Sequence, residues 1–402
     1  MAQPAGPASE RIESLDALRG LALFGILTAN ILYWSGWLFM SDPQKLALAS
    51  PQTIATEHFL HNLLIDGKFY TVFSLLFGAG FALQLERLES RGANGLRIYR
   101  RRILVLLGFG LIHMILIWDG DILTLYALLG LALPLFRRWS DRPLLLTAVA
   151  LLLLPLIGVP LFATLGWAPH QYLYDFSDRL AHGFGVTDTK DGVAWLRGGW
   201  DSFFSWAISG WPYAIGIRLE SWRIPKVLGI MLIGMIMGRR LAAGTLLSDR
   251  KLLWRVLATG LVIGLPFSLV YALGDGMGQQ SIPAVIGTAP LGLAYAAAFM
   301  LAWPHASRVL GVLAAPGKMA LTNYLSHSLL GIVIFYGIGF GLIGRLPPLG
   351  FYAVAVAIFA CQIVFSRWWL ANHPQGPMEA LWRRLTYGPR PLHAGVEHAN
   401  AG

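Results

Sequence analysis

Residues 103–136 read ILVLLGFGLIHMILIWDGDILTLYALLGLALPLF. Two apolar runs, Ile103–Trp118 and Ile122–Phe136, are parted only by Asp119-Gly120-Asp121. Both runs are continuous rather than alternating, so they fit helices in lipid and not the strands of a β-barrel. The Asp-Gly-Asp turn then folds the second helix back against the first. His113 lies ~15 Å along its helix from Ile103, near the middle of a ~30 Å hydrocarbon layer. Ionisable groups at that depth are costly, ~2.5–3.5 kcal/mol for an aspartate on insertion scales, and by default mark function. A carboxylate from Asp119 or Asp121 above the imidazole would orient it and raise its basicity, as a general base requires. The competing reading is a buried histidine bonded to a neighbouring helix, with the two aspartates as solvated turn residues.

The rest of the chain has the same character. Of 402 residues, 56% are hydrophobic and only 13% charged, and the mean hydropathy is +0.58; globular proteins carry ~25% charged residues. The fold class is therefore all-α, a polytopic transmembrane helical bundle in contact with the lipid bilayer. Ten spans are expected: Leu18–Met40, Lys68–Leu85, Ile103–Trp118, Ile122–Phe136, Leu144–Leu165, Ile224–Leu241, Leu252–Leu273, Pro283–Trp303, Met319–Ile343 and Leu349–Leu370. Phe203–Ile217 is also apolar, but short and broken by Pro212; it reads as an interfacial or re-entrant helix, or as an eleventh span. Ten spans with cytoplasmic N- and C-termini put most lysine and arginine inside, and an eleventh would move Arg239 to Arg255 outside, so ten is favoured. The net charge of +10 belongs to these flanking clusters, and no nucleic-acid partner is inferred. The first run is read as an uncleaved helix, because Ala47-Leu48-Ala49 lies well beyond it.

Three regions follow. Residues 1–143 are an N-terminal transmembrane half, 144–223 the fifth span and a large extracytoplasmic loop, and 224–402 a C-terminal transmembrane half with a cytoplasmic tail. Gly234…Gly238, Gly260…Gly264 and Gly337…Gly341 have the small-xxx-small spacing that lets helices approach closely. The single cysteine, Cys361, excludes an internal disulfide and reads as an inert core residue. There is no GxSxG, no P-loop and no metal-spaced His/Cys set, so no metal and no nucleotide cofactor is inferred.

Other polar groups stand in apolar company. Asp16 and Arg19 share a helix face at spacing i, i+3 and can pair, with Asn30 further along the same helix. Lys68 opens the second span as a snorkelling anchor or as a cation lining the outer mouth. In the ninth span Asn323 and His327 share a face, Tyr324 lies beside them, and Lys318 just before is placed for a phosphate contact; polar glue between helices is the competing reading.

Five blocks carry a resemblance: Ser14-Leu-Asp-Ala-Leu-Arg-Gly20, Gly67-Lys68-Phe69 with Leu76-Phe-Gly-Ala-Gly80, Leu107-Gly-Phe-Gly-Leu-Ile-His113 with Trp118-Asp-Gly-Asp-Ile-Leu123, Gly317-Lys-Met-Ala-Leu-Thr-Asn-Tyr324, and Gly376-Pro-Met-Glu-Ala-Leu-Trp382. Together they resemble the YeiB-like family of bacterial inner-membrane proteins. The opening also looks like that of the transmembrane acyltransferases, with their heparan-type N-acetyltransferase and acyltransferase-three branches. The resemblance implies a multi-pass protein of the bacterial inner membrane that moves an acyl group from cytoplasmic acyl-CoA, its co-substrate, to an extracytoplasmic small-molecule or glycan acceptor. On that reading Arg19, Lys318 and the Arg97–Arg102 cluster, Arg101 included, would bind the CoA phosphates, with Asp16, Asn30, Lys68, Asn323, Tyr324 and His327 also in substrate binding. His113 with Asp119 or Asp121 would be the base; His58 and His61 stand nearest the active loop histidine of the heparan branch. Asn30 takes the position of the acyltransferase-three branch's catalytic histidine, as in the heparan branch, and His327 resembles a late-helix histidine of that family. Two other readings stay open. Midplane ionisable groups and proline-bent helices also fit a small-solute transporter, and a non-catalytic scaffold or sensor would need none of these residues for chemistry.

Overall fold

The computed structural model describes residues 7–89, 94–189, 191–246 and 249–388, and all regular structure among them is helical. The principal helices are α1 (Pro7–Trp34), α2 (Lys68–Glu89), α3 (Gly95–Leu116), α4 (Leu123–Ala132), α5 (Asp141–Leu153), α6 (Trp200–Glu220), α7 (Arg223–Ala242), α8 (Ile282–Leu310), α9 (Ala320–Phe335), α10 (Pro348–Asn372) and α11 (Pro377–Tyr387). Six stretches are long and apolar enough to cross a bilayer: Glu13–Trp34, Pro51–Leu88, Asp141–Thr164, Arg250–Leu273, Ile282–Lys318 and Pro348–Asn372. The chain is thus a multi-pass, all-helical membrane protein. The helices α3 and α7 are of spanning length but carry basic residues at their ends, and Leu123–Phe136 and Ala320–Phe335 are shorter apolar helices.

Glycine sets the closest crossings. Gly78 of α2 faces the Met231 carbonyl of α7, while Gly234 and Gly238 of α7 face the Leu75 and Ala79 carbonyls of α2. Leu75 and Ala79 meet Gly234 and Gly238 in the same order, four residues on in each helix, so α2 and α7 run parallel. Gly260 and Gly264 lie in the same way against Pro290, Leu291 and Ala294 of α8. The third glycine pair departs from expectation. The ninth helix stops at Phe335, short of Ile343, although the sequence stays apolar. The Gly337 amide donates to Leu196 O, the Phe340 amide donates back to Val333 O, and Gly341 and Gly344 adopt left-handed backbone angles. A β-carbon at Gly337 would collide with the Arg197 carbonyl. Gly337–Gly341 is therefore a packed turn and not a helix-crossing motif.

Two further expectations are corrected or refined. The stretch Phe203–Ile217 belongs to the 21-residue helix α6, which continues through Pro212 and packs along the helix Pro169–Gly183. Cys361 is exposed on α10 beside Val364, Phe365 and Trp368 rather than buried in the core; on a bilayer-crossing helix such an apolar outer face meets lipid.

The first and last thirds of the chain meet where α1 crosses Ala314–Lys318. A β-carbon on Gly20 would run into the Leu313 carbonyl, and one on Gly317 into the Asp16 carbonyl. That crossing brings the Asp16-x-x-Arg19-Gly20 and Gly317-Lys318 motifs together.

Candidate functional site

The hairpin of α3 and α4 is closed by Gly110, where an added β-carbon would stand 2.6 Å from Thr124 N. This close crossing leaves His113, one turn further on, level with the turn into α4. There Asp121 takes up the first amides of the helix: Oδ1 accepts from Thr124 N at 2.6 Å and Oδ2 from Leu123 N at 3.1 Å. Asp121 Oδ2 is also 2.9 Å from His113 Nδ1. A carboxylate only accepts, so Nδ1 carries a proton in this contact, and in the neutral imidazole Nε2 then presents its lone pair. On that side, 2.9 Å away, stands Ser328 Oγ of α9. All three groups are buried. The order serine, histidine, aspartate is the one used to activate a hydroxyl.

Asp119 turns the other way. It is buried, not solvated, and its Oδ1 accepts the Tyr33 hydroxyl of α1 at 2.5 Å, while Trp206 Nε1 of α6 donates to the same Tyr33 oxygen at 3.0 Å. Arg218, from the last turn of α6, donates through Nη2 to the backbone carbonyls of Asp121 and Asp119. The turn is thus fixed from two helices outside its own hairpin, α1 and α6.

A cavity of about 260 Å³ opens beside this hairpin. Arg19, Arg102 and Lys318 line it together with the Glu379 carboxylate, Phe73, Phe77, Phe81 and Leu106 form apolar walls, and Tyr126 and Tyr324 are also part of its lining. Arg19 is paired with Asp16 at 2.8 Å. The Tyr324 hydroxyl accepts from Ile122 N at 3.0 Å, and its ring centroid lies 5.4 Å from that of His113. One aromatic ring, Tyr324, thus links the cavity lining to the histidine.

The C-terminal Gly-Pro-Met-Glu-Ala-Leu-Trp block closes one side. Glu379 of α11 caps α9 from outside: Oε1 accepts from Leu321 N at 2.7 Å and Thr322 N at 3.1 Å, and Oε2 accepts the Thr322 hydroxyl at 2.6 Å. Trp382 donates to Arg102 O at 2.8 Å and stacks under the Arg102 guanidinium at 4.0 Å. Glu379→Gln is expected to cost about 1–2 kcal/mol, because it removes a charged cap from two amides. Limited proteolysis should then cut ahead of α11 faster than in the parent, with α10 still protected.

The other expected residues are distributed as follows. Arg101 lies outside the cavity and donates to Leu385 O at 3.0 Å, fastening α11; its neighbour Arg102 is the one that lines the cavity. Asn323 and His327 face α10, and Asn323 Nδ2 also donates to Pro316 O at 3.1 Å. Asn323 Nδ2 donates to Ser366 Oγ at 3.0 Å and His327 Nε2 meets Gln362 Oε1 at 2.8 Å. Asn30 is half-buried on α1, outside both networks. His61 Nδ1 meets the Tyr352 hydroxyl at 3.1 Å, which donates to Glu57 at 3.0 Å, and the exposed His58 meets Asn62 at 2.9 Å. Lys68 is fully buried and bonded to the Asn62 carbonyl. These last groups form a separate cluster.

Ser328, Tyr33, Trp206 and Arg218 were not singled out by the sequence. Ser328 had a signal, since it follows Tyr324 by one helical turn and so shares its face. The others are single residues in aromatic-rich or apolar stretches that only the tertiary fold brings to the turn.

Residues 237–389 match a family model described as a protein of unknown function (DUF418). That span holds Lys318, Tyr324, Ser328, Glu379 and Trp382. The chain is 35% identical over 392 residues to "Uncharacterized protein YxaH" of Bacillus subtilis (strain 168), covering 94% of this chain and 95% of the relative. It is 33% identical over 408 residues to "Uncharacterized protein YeiB" of Escherichia coli (strain K12), covering 94% and 96%. No solved structure matches the chain. Similarity at this level over nearly the whole length means that the chain belongs to the YeiB-like family of membrane proteins.

Proposed function

We propose that the protein is a transmembrane acyltransferase of the bacterial inner membrane, taking an acyl group from cytoplasmic acyl-CoA and delivering it to an extracytoplasmic acceptor. The observation that carries this reading is the cavity, whose lining joins Arg19, Arg102 and Lys318 to apolar walls and to Tyr324, the ring beside His113; the cationic side is taken as its mouth. Ten spans with both termini in the cytoplasm put the Arg19, Arg102 and Lys318 mouth on the cytoplasmic side, by the positive-inside rule. Those three cations suit the CoA phosphates, and the apolar walls suit the pantetheine arm and a short acyl group.

The buried relay supplies the chemistry. The acceptor's proton passes through the Ser328 hydroxyl to His113 Nε2, and Asp121 stabilises the imidazolium formed. The acceptor oxygen or nitrogen bonds to the thioester carbonyl carbon, the C–S bond breaks, and CoA leaves as the thiol after His113 returns the proton. Tyr324 stands between the thioester end of the cavity and Ser328, and turns aside for the acyl group to pass.

Membranes enriched in the protein, supplied with radiolabelled acetyl-CoA, are expected to move label to material on the opposite face and to release free CoA thiol. No release above empty-vector membranes with short-, medium- or long-chain acyl-CoA would defeat the proposal. Proton-coupled solute flux lost on Asp121→Asn would replace it with transport.

A further inference from the structure

The end of the bundle opposite the cavity mouth holds a second group of charges. Because α2 and α7 run parallel, their first turns bring Lys68, Arg223 and Lys226 to one end. Lys68 and Lys226 are 0% and 3% exposed, yet each donates only to a neutral carbonyl, of Asn62 and of Gln279 at 2.9 Å. Arg223 Nη2 reaches Gln279 Oε1 at no better than 3.4 Å, and its Nε is buried without a partner. The ion pairs among the described residues lie elsewhere, at Asp16–Arg19, His113–Asp121, Asp141–Arg239 and Asp249–Arg240. Asp66, the carboxylate within electrostatic range of both lysines, spends its oxygens on the Tyr271 hydroxyl at 2.7 Å and on Gln279 Nε2 at 2.5 Å. Three cations thus face one carboxylate that is already engaged, and besides it the rings of Tyr271, 5.6 Å from Lys68, and Tyr70, 5.5 Å from Arg223. Buried charge left in this state is costly and calls for a counter-charge.

Two neighbouring features point the same way. Arg223 opens α7, whose first turn carries no acidic residue, so two cations sit at a helix terminus that is itself positive and offers free amides. Trp222 just before it, at φ 51°, is the one non-glycine residue with positive φ among those described, and no side-chain cap satisfies the helix start. Such strain collects at ligand sites. Arg218, in electrostatic range of Arg223, is 8% exposed and its Nη1 has no hydrogen-bond partner, while its Nη2 holds the Asp119–Asp121 turn.

We propose that Lys68, Arg218, Arg223 and Lys226 form a binding site for a phosphate-bearing group. On the acyl-transfer reading, on which this role alone rests, that group is the anionic part of the acceptor. A surplus of positive charge, with donors from several directions, matches a phosphate better than a single carboxylate. The phosphate belongs either to a lipid or to a soluble ester. An apolar groove of about 880 Å³ lined by Leu154, Phe162, Trp167 and Leu228 reaches Arg218 and provides for lipid chains.

The test titrates the detergent-purified full chain with inorganic phosphate and glycerol 3-phosphate, and compares its unfolding in phosphatidylcholine nanodiscs with and without phosphatidylglycerol. Saturable stabilisation by the soluble phosphates assigns a free ester; stabilisation by phosphatidylglycerol alone assigns a lipid. In either arm Arg223→Gln and Lys226→Met should each weaken binding about tenfold. Arg223→Lys, which keeps the charge, should retain most of it and shows that the fold survives. The response should persist in Arg19→Ala, which separates it from anion binding at the cavity mouth. No saturable response in either arm, or equal affinity in the neutral variants, overturns the site. Phosphate binding without any acetyl-CoA binding would remove the acyl-transfer reading and leave this site standing.

Discussion

Replacing His113 by glutamine is expected to slow acyl transfer by about 10²–10⁴-fold, the usual contribution of a positioned acid–base group, while the protein stays folded. Glutamine retains an amide that can donate to Asp121 Oδ2 in place of Nδ1, so the buried carboxylate keeps a partner besides the Leu123 and Thr124 amides. It cannot accept and return a proton near neutral pH. His113→Ala is the harsher change: it opens a void beside Trp118 and Tyr324 and strands Asp121 with one donor fewer. Ser328→Ala separates the roles. With Ser328 as a relay, Ser328→Ala lowers the rate without affecting acyl-CoA affinity, because the residue lies outside the cavity that binds it. The measurement is single-turnover release of CoA thiol, with circular dichroism on the same samples. Parent-like rates in His113→Gln would remove His113 from the chemistry.

Gly317→Val is expected to be the most damaging single change outside the relay. The added β-carbon would overlap the Asp16 carbonyl and lie 2.9 Å from Gly20 N, and all of these atoms are backbone. A backbone obstacle cannot rotate away as a side-chain tip does, so α1 and Ala314–Lys318 must separate. Overpacking of this kind costs about 3 kcal/mol or more, at the upper end of the usual range. Separation also parts Arg19 from Lys318, so any protein that survives should lose acetyl-CoA binding. Gly108→Ala is the control: nothing lies within 4 Å of its would-be β-carbon in the middle of α3, and alanine should raise stability by about 0.5–1 kcal/mol. Thermal midpoints in one detergent check both signs. Equal effects of the two substitutions would contradict the crossing as described.

The hairpin was legible in the sequence because of its economy. Two apolar runs with three residues between them must lie antiparallel, which sets His113 beside the turn. Which aspartate meets the imidazole depends on the rotation of α4, and that is fixed by Asp121 binding the Leu123 and Thr124 amides. Hydropathy says nothing of that choice. Ser328 joins from 215 residues away, a distance at which periodicity gives no pairing. The meeting of Arg19 and Lys318 is written in two glycines, Gly20 and Gly317, whose meaning appears only when the helices are laid together. The end of α9 departs from the apolar pattern for a related reason. Tyr336–Ile343 is apolar enough for a helix, but its amides are taken by Leu196 and by the chain's own preceding turn.

The most direct test of the account is an acetyl-CoA binding isotherm on the detergent-purified protein, read as ligand-dependent thermal stabilisation. Ligand at one hundred times its Kd stabilises the folded state by ~2.7 kcal/mol, well within the reach of a melting curve. The account predicts saturable stabilisation in the parent and in His113→Gln, weakened about tenfold or more by Arg19→Ala and by Lys318→Ala. Absence of stabilisation with acetyl-CoA and with longer acyl-CoA, or an isotherm unchanged in both charge variants, would contradict it.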